Sequence, residues 1–379
     1  MRIMFLLRAI ANVAGTERVM SDKINWLAEQ GHDIVLVTYE QGEHPISIPL
    51  HPTVKVEDLN VRFFKLAVVP LYLKILRYRQ MKCLFRTRLQ HFVDSVNPDV
   101  LVLTTYSINL IDIIANLKTK ARIIMESHTA CYSVGKEFNY SSNPLMKLLG
   151  RVYDKCNYRY LKSLNKMIVL TKGDMVDWSH YVDNVKVLPN PLTYYPMNVP
   201  EKRNRQRILC VGRLNKQKGF DLLIDAFAII ASKCPGWRVD IYGHGEDKEQ
   251  LLAQIKDKKL EDRININVPV SDIYEEYKKS DFFVLSSRYE GFGLVLAEAM
   301  SCGTPCVSFN CKYGPDEIID DGVDGLLVKS GNVCELSNKM LWMITHEDER
   351  LEMGRKARLS ASRFRKERVM LEWEKTYLS

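Results

Sequence analysis

Short apolar segments alternate with longer segments of helical periodicity along this chain, and no other feature restricts its fold as strongly. Such alternation is typical of βαβ units, in which helices connect parallel strands. Six apolar segments predict a first sheet, at 3–7, 34–38, 100–103, 123–125, 167–170 and 185–188. Five more predict a second, at 208–211, 239–242, 264–268, 282–285 and 306–309. The sequence therefore predicts an α/β protein with two doubly wound, Rossmann-like domains.

A group of prolines and charged residues separates the two halves. Pro189, Pro191, Pro196 and Pro200 precede the polar segment 201–207, and this composition favours a linker. We therefore predict a first domain at 1–190, a linker at 191–206 and a second domain at 207–363. The helical segment 364–379 is predicted to pack back on the first domain. Because ligands of doubly wound sheets bind beyond the carboxyl ends of the strands, we expect facing domains with the site in the cleft between them.

The positive charge of the chain is concentrated in one segment. The 379 residues include 54 Lys and Arg against 46 Asp and Glu, a net charge of +8. Residues 59–93 contain no Asp or Glu and eight basic residues: Arg62, Lys65, Lys74, Arg77, Arg79, Lys82, Arg86 and Arg88. A basic segment of this kind fits nucleic acid, an anionic membrane surface or an anionic substrate.

The cysteines and the apolar segments indicate the compartment. The nine cysteines include no C-x-x-C pair, which predicts reduced thiols in a cytosolic protein. No segment approaches the roughly 18 apolar residues that a membrane-spanning helix needs. We expect a cytoplasmic protein, soluble or associated with the membrane surface.

The segment 286–305 is the densest group of candidate site residues. A predicted strand leads into Gly291-Phe-Gly293 and then into a helix, which presents free amides to an anion. Glu290 and Glu298 would point about 80° apart on one continuous helix, so they share a site only if Glu290 lies in the turn. The alternative is a helix-start glutamate and an unrelated surface glutamate.

Basic residues follow the first predicted strand of the second domain. Arg213 and Lys218 lie in a loop between this strand and a helix, where they can bind a diphosphate. The alternative is a pair of solvated loop side chains.

The first domain also contains candidate site residues. Gly15 lies in the loop after the first predicted strand, and His128 follows a strand end. A lone histidine is more often structural than functional.

Together these motifs resemble family 4 glycosyltransferases of the GT-B fold, over nearly the whole chain. The specific part is the Gly-Arg213-Leu-x3-Lys218-Gly loop with the pair Glu290 and Glu298, an E-x7-E motif. The resemblance implies that Arg213 and Lys218 bind the donor diphosphate, Glu298 the ribose, and Glu290 the transferred hexose. It further implies catalytic roles for Glu290, His128, Arg213 and Lys218. The implied donor-binding residues are Gly15, Arg213, Lys218, Gly291, Phe292, Gly293, Leu294 and Glu298.

The chain departs from the family pattern at two positions. Ala14-Gly15 replaces the usual Gly-Gly pair, and Val268 stands where a glycine often precedes the base pocket. The base contact is therefore unassigned.

The resemblance also implies a mechanism. Similar enzymes retain the anomeric configuration, and our hypothesis is that the departing phosphate deprotonates the acceptor hydroxyl. An Asp-x-Asp motif after an apolar strand is absent from the sequence, so we expect no metal and no cofactor, with the leaving diphosphate stabilised by cationic side chains. The predicted activity is that of a retaining hexosyltransferase using a nucleotide sugar, UDP-linked, in surface polysaccharide biosynthesis.

The basic segment is predicted to serve the acceptor. Apolar residues from Leu71 to Phe92 recur every three or four positions and predict a core-facing stripe, while Leu73, Leu76 and Leu84 lie on the opposite face. An apolar face bordered by basic residues is typical of a helix on an anionic membrane. Similar enzymes extend polyprenyl-pyrophosphate-linked acceptors. We therefore expect peripheral association with the inner face of the cell membrane, through Lys74, Arg77, Arg79, Lys82, Arg86 and Arg88.

Several alternatives stay open. A GT-B nucleotide-sugar 2-epimerase or a glycosyltransferase with a soluble acceptor would share these motifs. A dinucleotide-dependent oxidoreductase would share the alternation, but neither first βα turn contains G-x-G-x-x-G. A nucleic-acid-binding protein would explain the basic segment, which however lacks a recognisable binding module.

Overall fold

A computed structural model describes residues 1–11, 15–134, 148, 155–200 and 205–379. The chain forms two compact units. The first consists of Met1–Leu188 and Met370–Ser379, and the second is Pro189–Val369. The second unit thus includes the segment predicted as a linker, and the first includes the C-terminal end of the chain.

The first unit is built on a parallel sheet. Its described strands lie in the order β3-β2-β1-β4-β5-β6-β7. Their bounds are β1 Arg2–Leu7, β2 Asp33–Thr38, β3 Lys55–Asp58, β4 Val100–Thr104, β5 Arg122–Glu126, β6 Lys166–Val169 and β7 Val185–Val187. All six predicted strands are present, and β3 is an additional edge strand.

Helices alternate with most of the strands of this sheet along the chain. The α-helices described in it are α1 Gly15–Glu29, α2 Leu71–Val96, α3 Ile111–Ile114 and α4 Lys172–Trp178. The helix α1 buries Val19, Met20, Ile24 and Leu27, a spacing that places them on one face. Most of a further predicted helix, 143–163, lies outside the described residues.

The structure corrects the predicted apolar stripe of α2. Phe85 and Leu89 are fully buried, but Ile75, which belongs to the predicted stripe, is 71% exposed. Tyr72, which lies outside the stripe, is 82% exposed. The core-facing stripe therefore begins near Met81, which packs against the core of the unit. The first two turns of α2 project apolar side chains into solvent.

The second unit is built on another parallel sheet, with the order β10-β9-β8-β11-β12-β13 among its described strands. Their bounds are β8 Arg207–Val211, β9 Arg238–Tyr242, β10 Ile264–Asn267, β11 Phe282–Leu285, β12 Cys306–Asn310 and β13 Gly325–Lys329. The described helices are α5 Phe220–Ile230, α6 Lys248–Asp257, α7 Ile273–Lys278, α8 Leu294–Ser301, α9 Pro315–Ile318, α10 Val333–Thr345 and α11 Glu347–Ala361. A final helix, α12 Lys366–Leu378, enters the first unit.

Candidate functional site

The loops at the carboxyl end of the second sheet are joined by backbone hydrogen bonds. The amide of Gly212 donates to the carbonyl oxygen of Tyr242 (3.0 Å), and Leu214 donates to His244 (2.8 Å). A Cβ at Gly243 would overlap the carbonyl oxygen of Gly212, so this close approach requires glycine. The loops after β8 and β9 therefore form one fixed surface, and the first of them carries Arg213 and Lys218.

An ion pair joins this surface to the loop after β11. The Lys218 ammonium lies 2.6 Å from Oε1 of Glu290, and the Ser287 hydroxyl donates to the same oxygen at 2.6 Å. Lys218 is followed by Gly219, which adopts a left-handed conformation (φ +62°). A Cβ there would overlap the carbonyl oxygen of Ser286. Two motifs 72 residues apart are thus in direct contact.

The second carboxylate lies on α8. Gly293 adopts a left-handed conformation and directly precedes Leu294, the first residue of this helix. The first turn of the helix presents free backbone amides. Glu290 lies in the turn and Glu298 within the helix, and each is only 6% exposed. Oε2 of Glu298 accepts a hydrogen bond from the hydroxyl of Tyr277 (3.2 Å). Burial raises the pKa of Tyr277 well above its ordinary value, so this hydroxyl remains a donor.

The remaining residues around α8 differ in exposure. Phe292 is buried and its ring packs edge-on against Phe364, with centroids 5.6 Å apart. Gly291 and Leu294 are half-buried.

In the loop after β8, Arg213 is exposed and makes no ion pair with a described residue. Arg213 is therefore available for an anionic ligand, whereas Lys218 is already paired with a carboxylate.

In the first unit, His128 follows β5 and is bound to Glu126. Nε2 of His128 lies 2.9 Å from Oε2 of Glu126. The same carboxylate accepts from the ammonium of Lys23 (2.7 Å) and from the hydroxyl of Tyr377. Gly15 is the first residue of α1 and is exposed; residues 12–14 of its loop lie outside the described residues.

The basic residues of α2 fall into two groups. Lys82 is paired with Asp112 (2.7 Å), and Arg88 donates to the carbonyl oxygens of Leu59 and Asn60. Arg77 is exposed and donates to Gln80 (3.2 Å). By contrast, Lys74, Arg79 and Arg86 are exposed and make no ion pair with a described residue. Lys82 and Arg88 are thus held by protein groups, which the charge pattern alone could not reveal.

Sequence reasoning missed several residues of these clusters. Ser287 lies within the predicted segment 286–305 but was assigned no role, and Tyr277 lies 21 residues before Glu298. Glu126 precedes His128 by two positions, and this short spacing was the one feature of the sequence that could have indicated their contact.

Within the described ranges, no group of three His, Cys, Asp or Glu side chains is arranged to hold a metal ion. Nor is any described helix both long and apolar enough to cross a membrane.

Each of the two units is built on a parallel sheet, and at the strand ends of the second sheet the loop with Lys218 contacts the turn with Glu290. Family models give the class. Residues 14–191 match the glycosyl transferase 4-like domain, and residues 197–360 match glycosyl transferases group 1. The chain belongs to the GT-B glycosyltransferases, and the protein is therefore a transferase enzyme.

Individual relatives span the whole chain. An uncharacterized glycosyltransferase of Haemophilus influenzae is 28% identical, covering 98% of this chain and 99% of the relative. The amylovoran biosynthesis glycosyltransferase AmsD of Erwinia amylovora is 26% identical, covering 98% of each chain. Among solved structures, a mutant of S. aureus TarM in complex with fondaparinux, alpha-GlcNAc-glycerol and UDP superposes with a TM-score of 0.78, at 16% identity and 100% coverage of both chains. This likeness shows the GT-B fold.

Proposed function

We propose that the protein is a retaining hexosyltransferase that moves a hexosyl unit from a UDP-linked sugar to a glycan acceptor in surface polysaccharide biosynthesis. The observation that carries the proposal is the contact of Lys218 with Glu290 beside the first turn of α8. This arrangement offers a cation, a carboxylate and free amides within one site. The relation to AmsD, named for amylovoran biosynthesis, and the UDP bound to TarM support it.

Each group has a chemical task in the proposed reaction. Arg213, Lys218 and the amides of the first turn of α8 stabilise the negative charge that develops on the leaving diphosphate. Glu290 and the segment 291–294 hold the hexose and a phosphate, and Glu298 accepts hydrogen bonds from the ribose hydroxyls. We assign His128 to binding of the transferred sugar and Gly15 to binding of the phosphates. No metal is required, because the cationic side chains supply the positive charge.

The anomeric configuration is retained because the acceptor attacks the anomeric carbon on the same face from which the diphosphate departs. The bond between the anomeric carbon and the phosphate oxygen breaks, and the acceptor oxygen forms its bond on the same side. The acceptor proton passes to the departing phosphate, so the charge and the atoms balance. The resulting product is a glycoside of unchanged anomeric configuration and a nucleoside diphosphate.

A donor screen tests the proposed activity. The purified protein is incubated with UDP-, GDP- and ADP-linked hexoses, and release of the nucleoside diphosphate is measured. We expect slow hydrolysis of a UDP-sugar, because water substitutes for the absent acceptor. Product analysis by NMR separates the alternatives: retention of the α configuration supports the proposal, whereas conversion of UDP-GlcNAc to its 2-epimer without an acceptor, or no turnover of any UDP-sugar, contradicts it.

We also propose that the acceptor is lipid-linked, with a polyprenyl pyrophosphate carrier, and that the enzyme binds the anionic inner face of the cell membrane. Exposed apolar side chains are concentrated at one end of α2 and in the segment before it: Phe64, Val68, Tyr72, Ile75 and Leu76. Val68 is 88% exposed. Because Lys74, Arg79 and Arg86 are exposed nearby and residues 59–93 contain no acidic residue, this surface suits an anionic lipid headgroup region.

Vesicle sedimentation tests the membrane proposal. We expect the protein to sediment with vesicles containing anionic phospholipid, and Lys74→Gln/Arg79→Gln/Arg86→Gln to weaken this binding at least tenfold, since each basic residue contributes about 1 kcal/mol. Val68→Ser/Tyr72→Ser/Ile75→Ser should weaken it as strongly. The matched control, Lys233→Gln/Lys248→Gln/Lys256→Gln, removes three exposed charges of the second unit and should have little effect. Equal binding to neutral vesicles would contradict the proposal.

A further inference from the structure

Four side chains form a buried polar cluster in the first unit, which we call the Glu126 cluster. It consists of Lys23 of α1, Glu126 at the end of β5, His128 just after it and Tyr377 of α12. Lys23, Glu126 and Tyr377 are fully buried, and the His128 side chain is 2% exposed. The Lys23 ammonium also lies 3.0 Å from the centroid of the Trp373 ring. Every donor in the cluster converges on one carboxylate.

The hydrogen bonds of Glu126 determine its charge. Oε2 accepts from Lys23 (2.7 Å) and faces Nε2 of His128 (2.9 Å), while Oε1 accepts from Tyr377. Burial alone would raise the pKa of this carboxyl, but Lys23 and His128 outweigh burial and lower it to about 2. Glu126 is therefore a carboxylate, which only accepts hydrogen bonds. It follows that Nε2 of His128 carries a proton and donates a hydrogen bond to Oε2 of Glu126.

The protonation state of His128 follows from its surroundings. Burial lowers the pKa of His128, and the neighbouring Lys23 charge lowers it further, although the hydrogen bond to Glu126 acts in the opposite direction. Glu126 and Lys23 already form a neutral pair. A neutral imidazole with its proton on Nε2 has a lone pair on Nδ1, so the free nitrogen of His128 is an acceptor.

Nδ1 of His128 is buried and has no hydrogen-bond partner among the described residues. Buried polar atoms of native proteins are nearly always paired, and an unpaired one calls for an explanation. His128 stands directly after the carboxyl end of β5, where ligands of a parallel sheet bind. A ligand hydroxyl would supply the missing donor.

We infer that Glu126 is a positioning residue that fixes His128 as the Nε2–H tautomer, so that Nδ1 accepts a hydrogen bond from a hydroxyl of the bound sugar. Lys23 and Tyr377 keep the carboxylate charged and fixed in orientation, and through Tyr377 the C-terminal helix takes part in the site. This inference rests on the proposed function for the identity of the ligand, but not for the tautomer.

Removing the charge of Lys23 tests whether the charges of the Glu126 cluster control the protonation of His128. Among the described residues, the charged groups that act on His128 are Glu126 of β5 and Lys23 of α1, and Tyr377 of α12 donates a hydrogen bond to Glu126. In Lys23→Met the carboxylate loses its cation, so the pKa of His128 rises and the acid limb of the kcat/KM profile moves to higher pH. We expect a shift of at least one pH unit, with activity near pH 8.5 within about tenfold of wild type.

The double variant Lys23→Met/Glu126→Gln is the matched control. It removes both charges, so the acid limb should return to the wild-type position or below it. A purely structural role would lower kcat at every pH without moving the limb, and that result would overturn the inference.

Two substitutions of His128 test the acceptor directly. The amide of His128→Asn reaches the position of Nδ1, whereas that of His128→Gln reaches the position of Nε2. We expect His128→Asn to keep at least a tenth of the wild-type kcat/KM and His128→Gln to keep less than a hundredth. Equal activity of the two variants, or greater activity of the Gln variant, would contradict an acceptor at Nδ1.

The tautomer itself is measured without catalysis. Long-range ¹H–¹⁵N correlation spectra of the wild type and of His128→Asn identify the imidazole signals of His128. Between pH 6 and 8 we expect the Nε2–H tautomer, and an imidazolium or Nδ1–H tautomer overturns the inference. If this tautomer is present but no UDP-sugar is turned over, the proposed function fails and the positioning role of Glu126 stands.

Discussion

Replacing Lys218 with alanine is expected to lower kcat/KM by about 10²–10³-fold, the usual loss when one group that stabilises a developing charge is removed. The ammonium lies 2.6 Å from Glu290 and only 17% of the side chain is exposed, so its charge acts in a partly desolvated site. Because the diphosphate becomes more negative as the glycosidic bond breaks, most of the loss should appear in kcat. Steady-state kinetics with the donor identified by the screen measures it.

A neighbouring lysine supplies the control for this experiment. Lys216 is exposed and its ammonium lies 3.2 Å from Oε1 of Gln250, outside the contact with Glu290. Lys216→Ala should change kcat/KM by less than about threefold. Lys218→Arg restores the charge with a different shape and should recover part of the activity. Near wild-type kcat/KM in Lys218→Ala would show that Lys218 has no role in charge stabilisation.

The sequence predicted the elements whose apolar residues are contiguous. The segments 3–7 and 282–285 are strands because each buries nearly all of its side chains. The edge strand β3 was missed because Val56 is its one apolar residue, and β13 was missed although its residues are mostly apolar. Local pattern thus predicts central strands, while a polar edge strand depends on pairing with a neighbour that the pattern does not contain.

The candidate site was predictable where motifs carry it and not where distant elements meet. Glu290 and Lys218 were found because each lies beside glycines in a strand-to-helix loop. The contact of Lys23 with Glu126, by contrast, joins residues 103 apart, and Tyr377 reaches Glu126 across 251 residues. Such contacts depend on tertiary packing, which periodicity and spacing do not encode. The same applies to Ile75, whose place in the apolar stripe predicted burial although the chain offers it no core to contact.

Replacing Asp281 with alanine is expected to destabilise the second unit by about 3–5 kcal/mol, the cost of leaving a buried charge without its partner. Asp281 is 1% exposed, and its Oδ2 accepts from the amides of Arg205 and Arg207, each at 3.0 Å. Its Oδ1 lies 3.6 Å from the guanidinium of Arg350, which is also buried. The alanine variant therefore removes the acceptor of two amides at the start of β8 and the carboxylate that faces Arg350.

The consequence reaches the proposed site, because β8 leads directly into the loop with Arg213 and Lys218. Urea unfolding of the full chain, monitored by tryptophan fluorescence, measures how far the stability of the second unit falls. Asp281→Asn keeps an acceptor for the amides and should lose less. The control Asp225→Ala breaks an exposed pair with Lys258 and should cost less than about 1 kcal/mol. Equal stabilities of Asp281→Ala and Asp225→Ala would show that Arg350 finds other partners, and that Asp281 does not fix the start of β8.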